Sequence, residues 1–404
     1  MIPVSEARAR LIALVSPTEA EIVPLRRAAG RVVARDVVAA RAQPPFDASS
    51  MDGYALAGPV TVDATLPVLG EAAAGHPYPS SLRPGAAVRI LTGAPLPRGA
   101  DRVVIQEDVG REGSAIRLRA APEAGENVRP AGCDFPAGER LAAPFEATPA
   151  AVALMAAMGH GAVWVARRPV VAIAMTGDEL VAPGTTPGPA QITASNGYGL
   201  AAMVERAGAE ARILPVARDA PASLRACLAL ARDADIVVTI GGASVGDHDI
   251  VASVLGEDGL DLAFHKVRMR PGKPLMAGRL GRTAFVGLPG NPVSAMVCGT
   301  VFVLPMIRAS LGLPTAPEVE RRTLAAPLPA NGPREHYMRA RTAPDGQVTV
   351  FDRQDSSLLT VLARADALVV RPPDDPPRAA GDAVDVLRLG PPSRGHVDTK
   401  REHP

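Results

Sequence analysis

The chain has 404 residues, 47% of them apolar, and a formal net charge of +1. That length predicts two to four domains with sizeable cores. The near-zero charge and an aromatic content of only 3% argue against nucleic-acid binding and against electrostatic attachment to a membrane.

In chain order, Ser5–Val15 has helical spacing, with Ala9, Ile12 and Val15 at intervals of three. The first fifteen residues lack the basic, apolar and cleavage regions of a signal peptide. A short helix at Leu25–Ala29 and an extended segment to Val38 are expected next. Pro44-Pro45 forbids helix and marks a domain entry. From Tyr54 to about Leu141, strands at Val60–Val62, Leu66–Leu69, Ala86–Ile90, Arg102–Gln106 and Ala115–Leu118 lie between Gly/Pro turns, which predicts a small β-domain. Ala147–Ala166 carries no Asp, Glu, Lys or Arg, but Pro149 opens it and Gly159-His160-Gly161 breaks it. It therefore predicts a helix at 149–158, a turn and a strand at 163–165, with no membrane span.

A different pattern starts at Arg167. Strands at Val170–Met175, Ala211–Val216, Ile236–Ile240 and 283–287 alternate with helices at Gly197–Ala207, Ala222–Asp233, after Asp249, and from Val293 to about Leu311. This alternation predicts a parallel sheet with crossover helices. Ser195-Asn196 and Asn291 read as helix caps, with Pro292 at a helix start. Residues 318–390 return to short strands, a second small β-domain, and the tail at 391–404 is expected to be disordered. Cys133, Cys227 and Cys298 lie far apart with no CxxC pair, which excludes a disulfide framework and a cysteine zinc site and fits a reducing cytoplasm.

In such a sheet, ligands bind beyond the carboxyl ends of the strands. Three loops share that location: MTGDEL at 175–180, GGASVGDHD at 241–249 and GLPGNPVS at 287–294. The glycine loop, with Gly241, Gly242, Ser244 and Gly246, offers backbone amides to an anion. Asp247 and Asp249 would repel bare phosphate and make sense with a divalent cation between. The same residues would equally serve as a turn with helix caps. Lys266, Arg268 and Arg270 recur at period two, so one strand face would carry all three, and Lys273 follows a Pro-Gly turn. A solvated edge strand is the alternative for that face. There is no GxxxxGK[ST] or GxGxxG motif. Together these loops suit a phosphorylated, anionic ligand handled with a divalent metal.

FDASSMDGYA at 46–55, LTGAPLP at 91–97, TGDEL, the GGxSxGDxD loop, RPGKP and GLPGNPVS occur in this order. Together they resemble the MoeA family of molybdenum cofactor biosynthesis proteins, equivalent to the E domain of gephyrin. The resemblance covers about residues 3 to 390. It implies a multidomain α/β plus β fold. An elongated N-terminal domain (1–44 and 137–167) would be interrupted by an inserted β-domain (45–136). An α/β molybdopterin-binding domain (168–316) and a C-terminal β-barrel (317–390) would follow.

The implied activity is Mg²⁺-dependent insertion of molybdate into adenylylated molybdopterin with release of AMP, in a cytoplasmic homodimer whose active site is shared between subunits. A separate adenylyltransferase would supply the adenylylated substrate. Asp52, Thr92 and Asp134 match the partner-facing side of the family's cleft. Glu179, Asp219 and Asp249 match its acids, with Glu179, Asp247 and Asp249 expected at the metal. Lys266, Arg270 and Lys273 match its basic strip, and Pro289, Asn291, Pro292 and Ser294 its PGNP turn. Arg339 and Ser356 match an oxyanion-binding Arg and Ser that would hold molybdate with Arg270, Lys273 and Ser294. Arg270 stands where many relatives have Lys, which changes donor geometry. A molybdopterin adenylyltransferase and a non-catalytic scaffold are the competing readings.

Overall fold

Apolar β-branched runs decide where the sheets form. The computed structural model describes residues 1–242 and 250–390. Ser244, Gly246, Asp247 and Asp249, and the tail at 391–404, lie outside the described residues. The chain divides into two units, Ile22–Val165, and Met1–Glu21 together with Ala166 onward.

In the unit Ile22–Val165, a six-stranded sheet runs in the order Arg102–Ile105, Gly53–Leu56, Ala87–Ile90, Thr65–Ala72, Ala115–Leu118, Val109–Glu112. Successive side chains on a strand point to opposite faces. Ala55 accordingly packs with Val88, Ile90 and Val103 on one face, and Leu56 with Leu66, Ile116 and Leu118 on the other. The expected strand at Val60–Val62 does not form. Those residues lead into a turn in which Ala64 donates to the Thr61 carbonyl at 3.2 Å and Asp63 adopts φ 67°. Leu25–Arg27 is a single 3₁₀ turn. Helix Pro149–Ala157 is capped by Thr148, whose hydroxyl accepts from the Ala151 amide at 3.2 Å. Its Met155 shares a core with Val33, Val37, Val163 and Val165, so residues on both sides of the six-stranded sheet in sequence pack together.

In the other unit, a six-stranded sheet runs Glu210–Ile213, Val170–Met175, Ile236–Ile240, Thr283–Leu288, Met276–Leu280, Asp261–His265. The first four strands are mutually parallel, and Met276–Leu280 runs antiparallel to both of its neighbours, so the edge strand Asp261–His265 points the same way as the first four. The antiparallel strand departs from the parallel-sheet expectation. A two-residue turn at Gly281 (φ 59°) and Arg282 folds Leu280 back onto Thr283 and creates that reversal. Helices cover the sheet through a core that includes Leu224, Val237, Val251, Val254 and Phe285.

The segment Pro292–Ser310 is helical throughout, with a π segment at Gly299–Val303. A Cβ on Gly299 would lie 2.9 Å from Leu200 Cδ1, so the glycine gives the side chains of helix Asn196–Arg206 room to pack here. The segment is long and apolar enough to cross a membrane, yet 72% of its apolar window is buried within the protein.

Five C-terminal strands close into a barrel in the order Glu335–Thr342, Gln347–Val350, Val319–Leu324, Ala383–Arg388, Ala367–Arg371, the last pairing back to the first. Closure leaves no free sheet edge. Its core is Leu324, Ala340, Val348, Val369, Val384 and Val386. Met269–Arg270 pairs in parallel with Glu335–His336, tying the α/β part to the barrel. This pair is the sole strand within the basic segment, and Lys266 adopts φ 80°. Lys266, Arg268 and Arg270 therefore do not share one strand face, because a left-handed residue interrupts the period of two.

Candidate functional site

A cleft of about 1090 Å³ opens at the carboxyl ends of the parallel strands. All three loops contribute to its lining: Met175–Leu180 without Asp178, Gly241-Gly242, and Pro289–Pro292. Ser195, Asn196 and Asp219 complete its polar wall.

Glycine is required at two places here. Gly177 has φ 151°, and a Cβ on it would sit 2.5 Å from Glu179 Oε2, so its bare backbone makes room for the Glu179 carboxylate. Gly241 has φ 95°, and its Cβ would meet the Thr176 carbonyl oxygen at 2.7 Å. Thr176 Oγ1 is buried beside this glycine pair and has no hydrogen-bond partner among the described residues, which is unusual for a native hydroxyl.

Asp219 is exposed at the cleft, where its carboxylate accepts weakly from the Asp178 amide at 3.4 Å. Its own amide donates to Asp178 Oδ1 at 3.2 Å. This exchange ties the loop after Val170–Met175 to the loop after Glu210–Ile213.

A second pocket of about 290 Å³ adjoins the cleft. Arg270, Lys273 and Arg334 bring three cations to it, with the hydroxyls of Ser294 and Ser356 and the side chains of Asn291, Gln354 and Asp355. Ser294 is 4% exposed. Asp355 is the one carboxylate, and it is already engaged by the Ser357 hydroxyl and amide at 2.6 and 2.8 Å. Those bonds hold its acid below the usual carboxylate range. Behind the pocket, burial together with Arg270, Arg339, Arg334 and Arg371 lowers the His336 imidazole to about 4. His336 is thus neutral at pH 7 and adds no charge to the pocket.

Arg339 stands apart from the pocket lining. It is 1% exposed, and its guanidinium donates to the Asp355 carbonyl at 2.7 Å and to Gln354 Oε1 at 3.1 Å. It holds the loop that carries Ser356. Lys266 lines neither pocket. Its amide donates to the Leu275 carbonyl and its carbonyl accepts from Ile2, at 2.9 and 3.2 Å. Asn291 occupies the N-cap position of helix Pro292–Cys298 but makes no side-chain cap bond, contrary to its sequence reading as a cap. Its amide instead donates to Ser356 Oγ at 3.1 Å. Asn196 likewise donates to the Gly290 carbonyl at 2.8 Å, and Ser195 makes no cap bond.

Arg334 and Gln354 do not stand out in the sequence as site residues, and Ser195 and Asn196 read there only as helix caps. Arg334 sits in a Gly-Pro-rich connection that looks like a solvated turn. Its one sequence signal is proximity to Arg339, five residues on.

In the unit Ile22–Val165, Asp52 Oδ1 accepts from both the amide and the hydroxyl of Thr92 at 2.7 Å. The Thr92 amide, then its hydroxyl, with Arg89 nearby, holds this carboxyl below its ordinary range. Asp134 is exposed, and its amide donates to the Gln43 carbonyl at 3.0 Å. Among the described residues no three His, Cys, Asp or Glu side chains cluster as a ready-made metal site.

Comparison with known proteins agrees with this architecture. The MoeA N-terminal region (domains I and II) matches residues 2–159, a probable molybdopterin binding domain matches 172–309, and the MoeA C-terminal region (domain IV) matches 321–389. The chain is 38% identical to molybdopterin molybdenumtransferase 2 of Mycobacterium tuberculosis, over 91% of this chain and 94% of that one. It is 36% identical to the molybdopterin molybdenumtransferase of a Nostoc species, over 93% and 90%. Two crystal structures of a MoeA protein from Pyrococcus horikoshii superimpose with TM-scores of 0.80 and 0.82 at 30% and 26% identity, covering 96% of this chain. With three MoeA regions in order along nearly its whole length, the chain belongs to the MoeA family of molybdopterin molybdenumtransferases, enzymes of molybdenum cofactor biosynthesis.

Proposed function

We propose that this protein inserts molybdate into adenylylated molybdopterin in a Mg²⁺-dependent reaction that releases AMP. The observation that carries this reading is the pairing of two adjoining pockets. One is a large cleft with glycine turns and exposed acids. The other is a small pocket with three cations and two hydroxyls. The first suits a phosphorylated pterin, and the second a tetrahedral dianion.

In the cleft, Gly241 and Gly242 pack against Thr176 and Val251 and bring their backbone to the lining, with Thr176 Oγ1 beside them as a donor that has no partner among the described residues. Glu179 is the acid for the metal among the described residues, joined by Asp247 and Asp249. This hard-oxygen donor set fits Mg²⁺, which takes one or two carboxylates and fills its remaining positions with phosphate oxygens and water. When bound, the ion would neutralise charge on the pyrophosphate oxygens. Asp219, with Asp178, keeps the loop beside Glu179 in place. In the smaller pocket Arg270, Lys273 and Arg334 balance the oxyanion, and Ser294 and Ser356 donate hydrogen bonds to it. Asp52, Thr92 and Asp134 act from the partner subunit of a cytoplasmic homodimer. A separate adenylyltransferase supplies the adenylylated pterin.

The test is AMP release from adenylylated molybdopterin with and without molybdate at fixed Mg²⁺. Molybdate-dependent AMP release with formation of transferable cofactor is expected, and Asp249→Asn should slow release while pterin still binds. Consumption of ATP with production of pyrophosphate would establish an adenylyltransferase instead. No turnover by the folded protein would favour a scaffold.

A further inference from the structure

Of the described residues lining the two pockets, only Asn291 is common to both. Its side chain is also withdrawn from the role its position suggests. An Asn at the N-cap ordinarily bonds a free amide of the first turn. Here the first turn is served from the barrel: the Val293 amide donates to the Ser356 carbonyl at 3.0 Å. The Asn291 amide group, released from capping, donates to Ser356 Oγ at 3.1 Å.

We infer that Asn291 is a positioning residue that orients the Ser356 hydroxyl so that its single proton points into the cationic pocket. This rests on the reading of that pocket as the oxyanion site. A serine hydroxyl has one proton and two acceptor lone pairs. Once a lone pair is taken by the Asn291 N–H, the proton is free to donate elsewhere. Beside it lie Arg270, Lys273 and Arg334, which collect an anion that needs such donors. The loop itself cannot drift. Val293 holds the Ser356 backbone from one side, and Arg339 holds the Asp355 carbonyl at 2.7 Å from the other. With the backbone held at these two carbonyls, the bond from Asn291 keeps the Ser356 proton from turning toward the asparagine and so biases it toward the pocket.

The experiment is a double-mutant cycle of Asn291→Ala and Ser356→Ala on the full chain. Tungstate affinity is read by calorimetry as a stable tetrahedral probe, and thermal melting monitors folding. Each single variant should weaken tungstate about tenfold, the order expected for losing one hydrogen bond to a charged group. The double variant should be no weaker than the weaker single. Asn291→Asp, which has the same shape but accepts in place of donating, should lose more affinity in the wild-type background than in the S356A background. Unchanged affinity in N291A, losses that multiply in the double variant, or an N291D effect independent of Ser356 would each overturn the inference. Absence of saturable tungstate binding by the wild-type protein would overturn the pocket reading and this inference with it.

Discussion

Replacing Gly177 by Ala separates the position of the Glu179 carboxylate from its chemistry. The new Cβ would lie 2.5, 2.7 and 2.8 Å from Oε2, Oε1 and Cδ of Glu179, whereas real Cβ contacts rarely fall below 3.4 Å. The carboxylate ends a flexible side chain, so it yields by about 1 Å, and misplacement on that scale costs a reaction about 100-fold. The backbone contributes a second effect, because φ 151° is a region open essentially to glycine alone and strains an alanine by about 1–3 kcal/mol. Gly184 has φ 88° with nothing within 4 Å of its would-be Cβ, so Gly184→Ala carries backbone strain without the clash. AMP release and thermal melting should be measured for both variants. G177A should lose about 100-fold in AMP release while tungstate binding in the separate small pocket stays at the wild-type level. G184A should lower only the melting temperature, by about 2–4 °C per kcal/mol. Wild-type AMP release by folded G177A would refute the claim that Glu179 acts from this position.

Arg334→Gln removes one of three pocket cations and should weaken tungstate about five- to tenfold with a shallower salt dependence; equal affinity in both proteins would show that Arg334 does not face the anion. Arg339→Ala should weaken tungstate more than pterin, because Arg339 anchors the Ser356 loop and lines no part of the cleft. Equal weakening of both ligands would indicate a general structural defect. His336 titrates near 4 when folded against 6.5 in the free side chain. Its folded pKa is depressed, so its contribution is complete above pH 6.5 and falls as pH drops toward 4. Between pH 6.5 and 5 wild type should lose about 2 kcal/mol of stability in urea melts, and His336→Gln should remove that slope. Identical slopes would contradict the burial of a neutral imidazole.

Much of the α/β architecture is legible in the chain itself. Val170–Met175 and Ile236–Ile240 are apolar and β-branched because both faces of a parallel strand are buried. The cleft loops are legible for a related reason. A glycine forced to positive φ and an acid two or three residues away are local chemical needs, as Gly177 and Glu179 illustrate. Val60–Val62 misled because an apolar triplet has β propensity, and the turn at Asp63 overrides it. Lys266, Arg268 and Arg270 misled because a period of two has meaning only while the backbone stays extended.

What only the tertiary structure decided is which distant segments meet. The barrel closes where Glu335–Thr342 pairs with Ala367–Arg371, a match that no short window encodes. Parallel pairing of Met269–Arg270 with Glu335–His336 sets Arg334 beside Arg270. Asn291 reads as a cap in sequence because its local partners are the amides of its own helix. In the folded chain the Ser356 carbonyl takes one of those amides, and the side chain turns to the Ser356 hydroxyl 65 residues away. Local geometry and solvation are properties of neighbouring residues and can be read along the chain. The competition between a local and a distant hydrogen-bond partner is settled only when the domains close on each other.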